Sequence, residues 1–352
     1  VWQPCQLDSS TAESLQARDF RRDVVGLEVE VVARFGVDGL ERGDEVGNRR
    51  PRHGDAGSPD LVVEGRAGRS DPVDADLVRR CPDRSLQDGA MTEHRLEGGN
   101  TGGATRVGDT VRRAAGPWTP AVHGLLDHLD RMGFTQAPKP LGLDDQGREV
   151  LTYLPGTTVG ARRPWPAWVH SDDALIQVAH WLRDYHAVVA DFVPPADAVW
   201  REGGRWQPGM IIGQNDAAPY NAAWDDEGRL VGFFDWDFAG PASLEWDLAF
   251  TAFAWVPLHA RHVVEAEGFT DVADRPRRLR LFLAAYGWTG RLETFLPIVQ
   301  ARVLASADGI ERTAERGDPA YRRMLDAGVA DSLRAAAAQL ARDSPDFVDP
   351  AL

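Results

Sequence analysis

Asp216, Asn221 and Asp235 are residue types that can move a proton and hold a metal, and they stand close together between Met210 and Leu248. One carboxylate can accept the proton of an attacking hydroxyl. The other, with an amide oxygen, can hold Mg²⁺ against phosphates. Asp and Asn are also ordinary loop residues, because their side chains bond their own backbone, and a lone D-x-x-x-x-N pattern is a weak signal. Context strengthens it here: an apolar strand leads into the loop and a second apolar strand carries Asp235.

Those strands can be read directly. Met210-Ile211-Ile212 is an apolar run ending at Gly213, which predicts a short buried strand. The polar loop Gln214 to Asn221 follows. Ala222-Ala223-Trp224 and Leu230 to Phe234 then flank Asp225-Asp226-Glu227-Gly228, which predicts a hairpin with a four-residue turn. Folding that hairpin brings Asp216, Asn221 and Asp235 to one end.

The segment Gln214-Asn215-Asp216 through Asn221, with Phe234-Asp235-Trp236-Asp237 and Trp246-Asp247-Leu248-Ala249, resembles the aminoglycoside phosphotransferase family, which includes choline-kinase-like small-molecule kinases. The resemblance covers about residues 93–340. It implies an α+β, protein-kinase-like fold of two lobes, a small mostly β N-lobe and a larger helical C-lobe. It further implies that Asp216 is the catalytic base, that Asn221 and Asp235 are Mg²⁺ ligands, and that Asp247, at a helix start, buttresses the catalytic loop. Asp237 is expected to support the same site. Gln214 stands where the family usually has His, so an amide must brace the loop.

Upstream, Gly98, Gly99, Gly102 and Gly103 sit between two expected strands, with Asn100 and Thr101 at the tip. Gly99, Asn100, Thr101 and Gly102 are the candidates to cover phosphates with backbone N–H groups; an ordinary Gly-rich turn fits the local sequence equally. The next strand, Thr110 to Arg113, is where the family places a phosphate-binding lysine. The only lysine among these 352 residues is Lys139, in a Pro-flanked turn, so an arginine must serve: Arg112 first, Arg113 as the alternative. A helix is expected from Thr119 to Met132, opened by Thr119-Pro120. Its first turns carry no Glu to pair with that arginine, and His123 and Asp127 are the nearest polar candidates. Strands at Pro140–Leu143 and Arg148–Leu154 follow. In the kinase-like fold that the resemblance implies, Tyr153 and Leu154 are the hinge, where a nucleotide base would bond the backbone; a strand end broken by Pro155-Gly156 fits the local sequence equally.

Beyond Pro164 the pattern turns helical, with Ser171-Asp172 capping a helix to Phe192. His180 and His186 lie on or beside its apolar stripe and are read as packed or solvated. Trp165, Trp168, Trp200 and Trp206 can be core anchors or walls of a substrate pocket, and most are read as core. Four further helical stretches are expected at Ser243–Trp255, Arg275–Tyr286, Arg291–Arg316 and Pro319–Arg342. Acidic residues there, including Glu265, Glu267, Asp308 and Glu311, are expected on solvated faces.

Residues 1–90 hold three of the thirty aromatic residues and no sustained period, apart from a short alternation within Val24–Phe35. They are expected to be a disordered tail or a spurious upstream extension. The small lobe is then placed at 91–157 and the large lobe at 158–345, with the catalytic hairpin at 210–238. A net charge of −15 argues against a nucleic-acid surface as the main function. No apolar run reaches the ~20 residues that a membrane span needs. Cys5 and Cys81 show no metal-type spacing, and a cytoplasmic setting is expected.

The expected function is transfer of the γ-phosphate of ATP or GTP, with Mg²⁺, to a hydroxyl of a small molecule. The alternative is a catalytically silent kinase-like protein that binds a nucleotide or metabolite.

Overall fold

The computed structural model describes residues 93–96, 103–160 and 163–348. The expectations for 1–90 and for Gly99, Asn100, Thr101 and Gly102 fall outside that range. Five strands form one antiparallel sheet: β1 (Glu93–Leu96), β2 (Ala104–Val107), β3 (Thr110–Ala114), β4 (Pro140–Leu143) and β5 (Arg148–Thr152). Their order is β1-β2-β3-β5-β4. Arg113 pairs with Glu149 across β3 and β5, and Arg112 with Val150. Directly paired residues project to the same face, so this register puts Arg113 and Glu149 side by side.

Helix α1 (Thr119–Arg131) packs on the sheet through Val122, Leu125, Leu126 and Leu129, none more than 1 % exposed. Each such side chain is worth about 1.5–3 kcal/mol when buried. Pro120 occupies the first turn, where the missing N–H costs nothing.

The helical lobe begins with α2 (Asp172–Val189), whose cap, Ser171, accepts the Ala174 N–H at 3.1 Å. Three short strands carry the site: β6 (Ile211–Gly213), then the hairpin β7 (Ala222–Trp224) and β8 (Leu230–Phe233). α2 supports them through aromatic contacts. The Trp181 ring lies 4.3 Å from that of Phe233, and the Tyr185 ring meets Trp236 edge-on at 5.3 Å. The Tyr185 hydroxyl donates to the Ile212 carbonyl at 2.5 Å, and burial pushes that phenol well up, so it remains a donor.

Two close backbone approaches join the hairpin to the small lobe. Gly232 lies so near Gln136 that a Cβ would come within 2.3 Å of its carbonyl oxygen, and Gly156 is pressed likewise on the Trp224 carbonyl at 2.5 Å. Both glycines have positive φ, 152° and 140°. The contacts leave room for no side chain.

Beyond the hairpin, β9 (Gly240–Ala242) pairs with β6, a partner the sequence pattern did not indicate. There follow α3 (Leu244–Trp255), α4 (Arg261–Ala266), α5 (Arg275–Tyr286) and α6 (Leu292–Glu315). The last expected helix is two: α7 (Pro319–Asp326) and α8 (Val329–Val348), parted at Gly328 with φ 74°. α6 packs along α8, and α2 along α5. Trp165 and Trp200 are buried, and Trp168 and Trp206 pack against the same core.

One expectation needs correction. Glu267 is not on a solvated face: it is buried and pairs with Arg163 at 3.0 Å, because the chain after α4 folds back under residues 163–170. Among the described residues, no helix is long and apolar enough to cross a membrane.

Candidate active site

β6 delivers the loop 214–221 into the interior, and Asp247 of α3 receives it. Asp247 is fully buried; its Oδ2 accepts the Gln214 N–H at 3.0 Å and its Oδ1 the Asn215 N–H at 2.7 Å. His186 of α2 meets Asp247 Oδ2 through Nε2 at 3.0 Å, while its Nδ1 faces the Tyr286 hydroxyl at 2.8 Å. Burial and Asp247 raise the Tyr286 phenol above its ordinary value, so its hydroxyl keeps its proton. The buttress that the resemblance implied for Asp247 is thus present as geometry, with His186 and Tyr286 behind it.

Asn215 and Asp235 both adopt φ 63°, a left-handed conformation that is uncommon outside glycine. Each is held from two sides. The Asn215 side-chain amide donates to the Phe238 carbonyl at 3.1 Å, and its own carbonyl accepts from Arg302 at 2.9 Å. Asp235 is held through its carbonyl by Gln214 Nε2 at 3.1 Å and through its carboxylate by Arg113. The other end of the Gln214 amide, Oε1, accepts the Asp216 N–H at 2.8 Å. One side chain therefore links the backbones of Asp216 and Asp235. An amide can do this because it carries a donor and an acceptor on one rigid group.

The Asp216 carboxylate is 1 % exposed. Its Oδ1 accepts from the Tyr220 hydroxyl at 3.1 Å and its Oδ2 from Asn221 Nδ2 at 2.7 Å. Asn221 also donates to the Asp216 carbonyl at 3.0 Å, which leaves its Oδ1 buried with no hydrogen-bond partner among the described residues. An orphaned amide oxygen is what a cation ligand looks like before the cation arrives. Phe234 N–H bonds the Asn221 carbonyl at 2.9 Å, so hairpin closure brings Asn221 beside Asp235. The donor set, one carboxylate and one amide oxygen, suits a hard divalent ion. Among the described residues no group of three or more His, Cys, Asp or Glu is arranged to hold a metal.

The cation at this site is Arg113, not Arg112. Arg113 Nη1 donates to Asp235 Oδ1 at 2.8 Å, Nη2 to Asp237 Oδ1 at 2.6 Å, and Nε to Glu149. Burial works against its charge, but Asp237, Asp235 and Glu149 outweigh that and raise it above the ordinary arginine value. Arg112 points the other way and lies 3.9 Å from Asp144 in the β4–β5 turn. The reason is strand alternation: neighbours on β3 face opposite sides, and only the Arg113 side looks at the hairpin. The carboxylate that braces Arg113 comes from the adjacent strand rather than from a helix. His123 of α1 holds the second oxygen of Glu149 at 3.0 Å.

At the expected hinge, one backbone donor is already engaged within the small sheet. The Tyr153 N–H donates to the Asp109 carbonyl at 2.9 Å, and Arg106 covers the Tyr153 ring at 3.8 Å, so that amide is turned into the sheet. Leu154, next along, is half-buried.

Sequence reasoning did not single out Arg201. It leaves a loop rich in Gly and Trp, passes between the Trp118 and Phe238 rings at 4.8 Å from each, and donates to Asp237 Oδ2 at 3.0 Å. No periodicity marks it; the adjoining aromatic Trp200 was the only signal. Burial raises the Asp237 carboxyl above its ordinary value, Arg113 and Arg201 oppose that, and neighbouring Asp235 adds to it.

A strand-borne cation, a helix-buttressed Asp loop and a hairpin ending in a second Asp meet at this site, an arrangement suited to a small-molecule phosphotransferase. The model of the phosphotransferase enzyme family matches residues 215–282. The trifolitoxin immunity protein of Rhizobium leguminosarum bv. trifolii is 35 % identical over 197 residues, 54 % of this chain and 73 % of that protein. The chain belongs to the phosphotransferase enzyme family. Among solved structures, it is similar to a choline/ethanolamine kinase family protein from Mesorhizobium loti, with TM-score 0.46 and 15 % identity over 73 % of this chain and 91 % of that one. It is also similar to an aminoglycoside 2′-phosphotransferase in complex with GDP, with TM-score 0.45 and 15 % identity over 72 % and 95 % of the two chains.

Proposed function

We propose that this protein transfers the γ-phosphoryl group of ATP or GTP to a hydroxyl of a small molecule. The observation that carries the reading is the Gln214 bridge. It fixes the Asp216 and Asp235 backbones to each other, with the unpartnered Asn221 oxygen beside them. Asp216 accepts the proton of the acceptor hydroxyl while Asn221 Nδ2 and the Tyr220 hydroxyl hold its carboxylate in place. Asn221 Oδ1 and Asp235 are the groups that would hold Mg²⁺. Such an ion, when bound, neutralises charge on the phosphates. Arg113 offsets phosphate charge from the small-lobe side, with Glu149 and His123 fixing its direction. The nucleotide base lies against the Tyr153–Leu154 segment, and a hydroxylated small molecule is the partner.

The name of the trifolitoxin immunity protein supports a protective setting, in which the acceptor is a toxic molecule or a component that such a molecule attacks. A second reading has one observation in its favour: Arg113 already occupies Asp235, as it would in a silent binder that protects by sequestration. The test is nucleotide consumption by the full chain across aminoglycosides, choline, amino alcohols, sugars and hydroxylated toxins, with Asp216→Asn as control. Phosphorylated product from wild type alone supports the kinase. Tight acceptor binding, unchanged in Asp216→Asn and without product, favours the silent binder.

A further inference from the structure

Arg302, midway along α6, is fully buried, yet its hydrogen bonds go to neutral groups. Nη2 donates to the Asn215 carbonyl at 2.9 Å and Nη1 to the Ser306 hydroxyl at 2.8 Å; Nε has no hydrogen-bond partner among the described residues. The guanidinium lies over the rings of Phe250 and Trp246 on α3, at 4.7 and 5.5 Å from their centroids. Packing alone does not call for a charge there. An apolar side chain would fill the space between two aromatic rings and the helix without giving up hydration. The charged and titratable groups facing Arg302 come from three directions: Asp247 of α3, Asp216 and Tyr220 of the catalytic loop, and Glu202 of the loop before β6. Burial pushes the guanidinium down to about 10, which leaves it a cation at neutral pH.

What Arg302 touches gives it a purpose. The Asn215 carbonyl and the Asp216 N–H belong to one planar peptide group. Arg302 holds its oxygen and Gln214 Oε1 holds its nitrogen, so both ends of a rigid plate are pinned. That plate joins the left-handed residue Asn215 to the residue that carries the base. Turning it would swing the Asp216 Cα and carry the carboxylate away from its place.

We propose that Arg302 is a positioning residue for phosphoryl transfer: it pins the Asn215–Asp216 peptide so that the Asp216 carboxylate meets the acceptor hydroxyl. The positioning of the loop stands on geometry alone, and its effect on turnover rests on the kinase reading above. Arg302→Met and Arg302→Lys in the full chain test it by two readouts. In amide hydrogen exchange, the peptide spanning 213–221 should exchange at least tenfold faster in Arg302→Met, with α2 and α5 unchanged, and Arg302→Lys should fall between. In turnover, kcat of Arg302→Met should drop at least tenfold with the nucleotide KM within twofold of wild type, and Arg302→Lys should recover part of it. Unchanged exchange at 213–221 in Arg302→Met overturns the proposal, as does a kcat equal to wild type. If Arg302→Met does not fold, Arg302→Lys decides by the same exchange readout. Absence of turnover in wild type across the acceptor screen would sink the kinase reading, while the exchange result would still decide whether Arg302 holds the loop.

Discussion

Arg113 Nη1 donates to Asp235 Oδ1 across 2.8 Å, joining the third strand of the small lobe to the carboxylate at the end of the β7–β8 hairpin. Arg113→Ala would leave Glu149, Asp235 and Asp237 without their shared counter-charge. Denaturant unfolding should then show a loss of about 3–5 kcal/mol, the cost of breaking a buried ionic cluster. The nucleotide KM should rise as well. Arg112→Ala, removing a part-exposed contact to Asp144, should cost no more than about 1 kcal/mol and leave KM in place. The reverse order in KM would return the phosphate role to Arg112.

The two carboxylates should fail in different ways. If Asp235 holds Mg²⁺ as proposed, Asp235→Ala should weaken nucleotide binding and raise the Mg²⁺ requirement in calorimetry with Mg²⁺ and a non-hydrolysable nucleotide. Asp216→Asn keeps the shape but cannot take a proton; nucleotide should bind as before while turnover falls roughly 10²–10⁴-fold. Intact turnover in Asp216→Asn would make that residue a loop cap rather than a base.

Gln214 offers a third test, because its amide serves Asp216 and Asp235 at once. Gln214→Ala abandons a buried N–H and a carbonyl, at about 1–3 kcal/mol for an unsatisfied group. Its kcat should fall further than that of Gln214→His, whose ring can keep one of the two bonds. Wild-type melting and turnover in Gln214→Ala would show that the bridge is dispensable.

Glu267 supplies a pH dependence that can be located in advance. Burial raises its carboxyl from 4.5 to about 7, with Arg163 opposing. Between those values the unfolded chain has released the proton and the folded chain has kept it, so stability falls as pH rises through that window and is level above it. The full change is on the order of 3 kcal/mol. Glu267→Gln should flatten the stability profile between pH 4.5 and 7, measured by urea unfolding at each pH. A profile with the same slope in the variant would assign that slope to other groups.

The parts of this fold that the sequence announces are those with local causes. Pro120 marks the first turn of α1, where its missing N–H costs nothing, although Trp118 and not Thr119 takes the cap position and makes no side-chain cap bond. The turn Asp225 to Gly228 closes its hairpin because Asp225 caps its own turn, accepting the Glu227 and Arg229 N–H groups. The choice between Arg112 and Arg113 has no local cause. Alternation says that they point apart, and the hairpin, more than a hundred residues later, decides which side is the site. Glu149 was invisible for the same reason, since its role comes from the β3–β5 register. β9 is three residues, Gly-Pro-Ala, without the β-branched or aromatic residues that mark a strand; its pairing with β6 is imposed by tertiary context.

The guanidinium in place of an amine also changes what reagents can reach the site. A kinase with lysine on this strand can be acylated there by a nucleotide bearing an activated ester, because an amine is a nucleophile once deprotonated. Arg113 is not, since its neighbours hold the proton on more firmly than usual. Among these 352 residues the one lysine, Lys139, is half-exposed and paired with Asp130. Amine-directed nucleotide probes should therefore leave the Arg113 position unlabelled, and lysine acetylation has no purchase on the Arg113–Asp235 pair.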